Sequence, residues 1–398
     1  MAKTYSYAIF FDGTGNNKDE GEESMSNVAR LYELYKTDDA SLKLYIKGLG
    51  TSSAGEIDFG DGNLVGKAFG SGFGLGGQKR VEYALEQVRS FADSVEETDV
   101  IELSLFGFSR GAALARHFTN VLDTVPKASV KFLGLFDTVG SFGIPGDESN
   151  AGLDLSVRED KVQNVYHLTS FNELRKNFDL VSIKPAPDSI LPEKFVEEEY
   201  PGVHADIGGG YSNKDEHNNS NNFLALIYLE KMYGAAASQG LKFAKIPEKW
   251  TPKEDLRTLF ESINSIYQST PAVKAIHKEM VNLEWTKEVL SRKQSTIRIP
   301  RGPKASKSLA ASKKQEKELM KRSIQYVDDT TEEIKNKLEV ILDEQSTALL
   351  NSYKTFEDSY IHKSHYYFNT TVGMLPQAKE LKVDDERIEI YQRDIFYI

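Results

Sequence analysis

The sequence predicts an α/β fold: a mostly parallel sheet with helices on both faces, joined to a largely helical C-terminal appendage. Two observations carry this. Over roughly the first half, short apolar, β-prone runs alternate with amphipathic stretches of helical period, as in the β–α units that build a parallel sheet. From 251 to 350 the chain is rich in Lys, Glu, Leu and Ser and mostly helical in pattern.

The elements follow in order. Tyr5 to Phe11 is a strand that stops at Asp12-Gly13-Thr14-Gly15-Asn16. Ser26 to Tyr35 puts Val28, Leu31 and Leu34 on one helical face. Leu42 to Ile46 is a short strand. Gly60 to Gly77 holds eight glycines in eighteen residues, too flexible for a regular element, and reads as a mobile flap or lid. Helical period returns from Gln78 to Phe91. Val100 to Phe106 is a strand, Ala112 to Leu122 a helix, and Val130 to Phe136 a buried strand ending at Asp137. Lys161 to Thr169 and Phe195 to Glu199 are further strands. Asn222 to Tyr233 is a helix that buries Phe223, Leu226, Ile227 and Leu229. Pro300 and Pro303 break the helical region with a loop, and residues 387–397 read as a strand pair. The expected division is an α/β unit over 1–235 and a mainly helical appendage over 236–398.

Composition narrows the function classes. With 39% hydrophobic and 27% charged residues among 398, there is ample material for a core. No run of 18 apolar residues exists, and the first residues lack the apolar centre of a signal peptide. The absence of cysteine excludes disulfides, thiolate metal sites and cysteine nucleophiles. A net charge of −11 argues against a nucleic-acid partner. The charge is uneven: Lys287 to Arg322 carries 12 Lys/Arg against 3 Asp/Glu, a local +9. That segment is either a solvated helix and loop or a face for an anionic surface.

The sharpest chemical signal is Gly107-Phe108-Ser109-Arg110-Gly111, between an apolar strand and a helix-forming run. This is the setting of a nucleophile elbow. The serine sits on a strained strand-to-helix turn, and glycines two residues either side relieve the crowding. The N–H of Arg110 would then face a developing oxyanion near the positive end of the following helix. A serine nucleophile needs a base, and the base an orienting acid. Asp137 closes a strand, where a carboxylate reaches the active edge of an open α/β sheet. Asp123 competes, but it ends the helix after Ser109. Among seven histidines, His204 stands out, in a glycine-dense loop after a strand; His362 is the alternative base. His117, His167, His217 and His277 suit structural or surface roles better.

Asp12, Gly13 and Thr14 close the first strand in a glycine-rich turn that can present N–H groups to an anion, as a second oxyanion donor or as a phosphate cradle. No Lys follows in the register of a P-loop, which argues against an NTPase. The later glycine run lacks the strand–GxGxxG–helix context of a dinucleotide site. Asp12 with Asp206 is too little to specify a metal, so no metal and no cofactor is expected.

Taken together and in order, FFDGTGNN, LFGFSRGAALAR, FLGLFDTVGS and YPGVHADIGGGY resemble the motifs of the α/β-hydrolase domain of type VI secretion lipase effectors of the first Tle class. They span residues 9–211, about half the chain. The resemblance implies a Ser-Asp-His esterase, commonly a phospholipase A, delivered by the type VI machine to the periplasm of rival bacteria. It carries the nucleophile onto Ser109, the acid onto Asp137 and the base onto His204. It also implies a phospholipid membrane surface, a secretion spike or tube component and a cognate immunity protein as partners. The sequence departs from the family at Asn172-Glu173-Leu174-Arg175, where members often have Asp in place of the Asn. Two other classes fit the same residues: a carboxylesterase with no membrane role, and a non-catalytic partner-binding relative.

Overall fold

The computed structural model describes residues 2–51, 59, 72–142, 152–175, 178–211, 223–299, 307–341, 353, 356–357, 360–361, 378–383, 386–393 and 395–397. Its centre is a six-stranded sheet. In chain order the strands are β1 (Thr4–Phe11), β2 (Ser41–Ile46), β3 (Val100–Phe108), β4 (Ala128–Phe136), β5 (Val162–Ser170) and, after a short β6 (Leu180–Ser182) outside the sheet, β7 (Phe195–Tyr200). The spatial order is β2-β1-β3-β4-β5-β7, and every pairing within it is parallel. All six strands therefore end on the same edge.

Both faces are covered, as the apolar strands require. Alternate residues of β1 show how: Ala8 and Phe10 join the core on one face, and Tyr7, Ile9 and Phe11 the core on the other. The second core is closed by α2 (Gly72–Ser94) and α3 (Arg110–Val121), through Val81, Val88, Ala112 and Phe118. The first is closed by α1 (Asn27–Leu34) and α5 (Phe223–Ser238), the latter following the short α4 (His204–Gly208). The Ser26 hydroxyl caps α1 by accepting from Ala29 N–H at 3.0 Å. The same core continues into α6 (Glu254–Ser269), α7 (Pro271–Thr296) and α8 (Lys307–Ile341) through Phe260, Trp285 and Met320. Among the described residues, no helix is long and apolar enough to cross a membrane.

Several expectations need correction. The glycine-rich run is helical from Gly72 onward. A Cβ on Gly77 would stand 3.1 Å from Leu114 and 3.2 Å from Phe142, so glycine lets α2 lie close against α3, and that packing outweighs its poor helix propensity. The rest of the expected flap, 60–71, lies outside the described residues, as does the Pro300–Pro303 loop. The tail is not one strand pair. β9 (Glu386–Tyr391) pairs antiparallel with β8 (Ala378–Val383), whereas β10 (Ile395–Tyr397) pairs parallel with β6. β6 stands outside the main sheet with an open edge, which β10 fills. Three residues were too short a run for β6 to register as a strand in the sequence.

Candidate active site

The register of the sheet sets the site. Phe11 lies beside Gly107, Phe108 beside Phe136, and Phe136 beside Leu168. The turns after β1, β3 and β4 are therefore neighbours at one edge, where open α/β sheets present their ligand sites.

Ser109 follows β3 directly and precedes α3. Its backbone sits at φ 58°, ψ −127°, a conformation strained for any residue with a side chain. The turn is held by Ser109 N–H donating to Phe136 C=O (3.0 Å) and Val139 N–H donating to Ser109 C=O (3.3 Å). The flanking glycines are required by space. A Cβ at 107 would fall 2.4 Å from the Ala112 Cα, and one at 111 would fall 2.3 Å from the Phe11 carbonyl oxygen. The chain thus turns sharply from β3 into α3 at Ser109.

Asp137 is the other non-glycine residue with positive φ among the described residues, at 41°. It is fully buried, and its carboxylate and His204 share a hydrogen bond of 2.6 Å between Oδ2 and Nδ1. His204 opens α4 after β7, with 4% of its surface exposed. Its ring packs on Phe108 at 4.6 Å and meets Phe178 edge-on at 5.0 Å. Its backbone N–H donates to Glu173 Oε2 at 3.2 Å. Serine, aspartate and histidine thus gather at one place. The Ser109 hydroxyl makes no hydrogen bond to a described residue, His204 included.

Charge at the site is ordered by its neighbours. Burial alone would raise the Asp137 carboxyl, but the Arg393 guanidinium and the His204 hydrogen bond hold it far below the ordinary carboxylate range. Asp137 is therefore an anion that accepts, and Nδ1 of His204 carries the proton. Burial pushes the His204 imidazole below its usual value, partly offset by Asp137. At neutral pH the ring is uncharged, with Nε2 able to take a proton. Glu173 is opposed by burial but held at about 2 by Arg175, which binds it at 2.8 and 2.9 Å. Asn172 accepts from Gly202 N–H at 2.8 Å; the local ion pair is made by Glu173 and Arg175.

Arg110 opens α3, where first-turn amides point out of the helix end. Its buried side chain crosses to the first turn, donating from Nη1 to Thr14 Oγ1 at 3.2 Å and from Nε to the Ser141 carbonyl. One residue thus joins the elbow to the loop after β1. Gly13 N–H donates to its neighbour Asp12 Oδ1 at 2.7 Å, so in this state that amide is engaged. Asp12 Oδ2 accepts from the Tyr45 hydroxyl at 2.5 Å.

The competing residues fall elsewhere. Asp123 is paired with Lys161 at the surface. His117 Nδ1 accepts from Asp154 N–H at 3.0 Å, and His277 bonds Tyr267 at 2.6 Å inside the helical part. His217 and the alternative base His362 lie outside the described residues. Asp206 accepts from Val203 N–H at 3.0 Å, and no cluster of three metal-ligating side chains occurs among the described residues. Of the basic segment, Lys287, Lys293 and Lys313 are paired with Asp328, Glu389 and Glu316. The sequence reading missed Phe108, Ser170, Phe178 and Arg393, all of which touch Asp137 or His204.

A family profile described as "T6SS, Phospholipase effector Tle1-like, catalytic domain" matches residues 6–126 and 121–234, more than half the chain. The chain belongs to this family of type VI secretion phospholipase effectors. Among solved structures it is similar to a Tle1 effector bound to the VgrG spike of the type VI secretion system, at 22% identity, covering 65% of this chain and 78% of that one, with a TM-score of 0.49. It is also similar to an uncharacterized protein from Pseudomonas aeruginosa, at 21% identity, covering 90% of this chain and 63% of that one, with a TM-score of 0.52. The second likeness establishes a shared fold. No curated protein matches.

Proposed function

We propose that this chain is a serine esterase of the phospholipase A type. Ser109 attacks an acyl ester of a membrane phospholipid, and His204 takes its proton and returns it to the leaving alcohol. Asp137 holds the imidazole and stabilises its cation. The Arg110 N–H and the Thr14 loop bind the oxyanion, and water releases the acyl group. The supporting observation is one arrangement: a serine at a positive-φ elbow, with the adjoining Phe108 ring against an imidazole that a buried carboxylate binds at 2.6 Å.

We further propose export by the type VI machine through a spike or tube component, action in the target cell's periplasm, and a cognate immunity protein. Residues 1–235 would form the catalytic unit and 236–398 the part that meets lipid or partner. Each basic side chain near an anionic membrane favours contact by about 1 kcal/mol.

The test is fatty-acid release from phospholipid vesicles by wild type and S109A. Release by the wild type, abolished in S109A, is expected; equal release from both overturns the reading. Hydrolysis of short soluble esters without release from vesicles would select a carboxylesterase instead.

A further inference from the structure

The end of the chain returns to the catalytic edge. β10 pairs with β6, matching Ile395 to Leu180 and Tyr397 to Ser182. Two residues before β10, Arg393 lies 9% exposed with its guanidinium on Asp137. Nη1 donates to Oδ1 at 2.9 Å and Nη2 to Oδ2 at 2.8 Å, a two-pronged pair in which both carboxylate oxygens are engaged. Nη1 also donates to Ser170 Oγ at 2.6 Å, and Nε to the Phe178 carbonyl at 2.5 Å. Ser170 completes the cradle through its N–H to Oδ1 (2.9 Å) and its hydroxyl to Oδ2 (3.0 Å). The carboxylate that orients His204 is thus itself held from three sides.

We propose that Arg393 is a positioning residue for the reaction: its planar fork fixes the plane of the Asp137 carboxylate and hence the orientation of the His204 ring, so that esterase activity depends on docking of the C-terminal tail. The inference rests on the Ser109–His204–Asp137 reading above. Ser170 also meets both oxygens, but through one amide and one rotatable hydroxyl, which resist rotation about the Cβ–Cγ bond less than two charge-assisted bonds do, and small misplacements of a catalytic group cost rate steeply. An arginine fork is suited to stop that rotation, whereas a lysine provides a point charge without the plane.

Arg393 also sets the charge seen by the imidazole. Among the described residues, the charged groups around His204 are Asp137 at the end of β4, Glu173 and Arg175 from the segment between β5 and β6, and Arg393 from the tail; Tyr211 stands beyond Arg175. Removing the Arg393 cation leaves the carboxylate anion undiluted and stabilises the imidazolium. The acid limb of the pH–rate profile should then move upward.

The experiment compares wild type, R393Q and R393K on a soluble p-nitrophenyl ester across pH 4–9. A fluorophosphonate first counts reactive Ser109 in each. R393Q is expected to lose at least about tenfold in plateau kcat/KM per reactive site. Its acid limb should shift up by about one pH unit. R393K should lose plateau rate with a nearly unmoved limb, since it keeps charge without the fork. A merely structural role would lower the count of reactive sites and leave both limb and rate per site unchanged; that result overturns the inference while the triad stands. A wild type whose Ser109 does not label overturns the triad and this inference with it. Should R393Q not fold, R393K decides alone: a wild-type plateau per site overturns the proposal, and a reduced one supports it.

Discussion

Among the described residues two carboxylate–histidine pairs stand out, and their difference bears on which imidazole can serve as a base. In the first, Asp137 binds His204 Nδ1 at 2.6 Å, and no described residue bonds Nε2. In the second, Glu197 binds His167 Nδ1 at 2.9 Å, while Nε2 faces the Thr138 N–H at 3.2 Å and the Thr138 hydroxyl at 3.0 Å. The Thr138 amide can only donate, so the Nε2 lone pair of His167 is spent and its Nδ1–H donates to Glu197. His167 has no exposed surface and lies within a strand. His204 opens a helix beside the elbow. A carboxylate–imidazole pair is therefore not a site by itself; the second nitrogen must be open toward a nucleophile.

Mutation should separate the two pairs. H204Q and D137N are expected to reduce kcat/KM by roughly three to four orders of magnitude, close to S109A, because the triad acts as a unit. Steady-state kinetics of the folded variants checks this; losses under tenfold would place the chemistry elsewhere. H167Q should instead destabilise the fold by about 2 kcal/mol, through a buried Thr138 N–H and Glu197 left badly paired. Denaturant titration reads that loss, and kcat/KM per folded molecule should fall less than about tenfold. A catalytic loss as deep as that of H204Q would erase the distinction.

A third histidine sharpens the comparison through pH. His277 is buried among helices, and burial lowers its pKa to about 4. Between about pH 6.5 and 4 the unfolded chain takes up this proton and the folded one does not. Stability therefore falls as pH drops through that window, by about 3 kcal/mol for this one group, and shows no contribution above it. Wild type and H277N unfolded at pH 7 and pH 5 test the sign: the variant should lose less stability on acidification. The smallest expected effect is in activity. Since His204 must be neutral to act and burial lowers its pKa, kcat/KM should be flat from pH 7 downward until below about 6.5. A limb centred above 7 would contradict the electrostatic account.

The candidate site was legible where its geometry is encoded locally. A strained elbow needs glycine at 107 and 111, a strand end announces itself at Asp137, and a glycine-dense turn marks His204. The support was not legible. Arg393 lies 256 residues from Asp137 in sequence, in a stretch with no motif, and only the folded chain brings them together. Phe108 fills a variable position of the elbow pattern, and its role against the imidazole comes from packing. Ser170 ends an unremarkable strand. The tail was read as a local strand pair because pattern alone cannot show that β10 seeks the distant edge of β6.

The central claim is that the Ser109 hydroxyl is the nucleophile that His204 activates. Intact-protein and peptide mass spectrometry after exposure to a fluorophosphonate tests it most directly. A single adduct on Ser109, absent in S109A and slowed by orders of magnitude in H204Q, is the predicted result. An unmodified Ser109 in folded wild type, or labelling that is indifferent to His204, would contradict it.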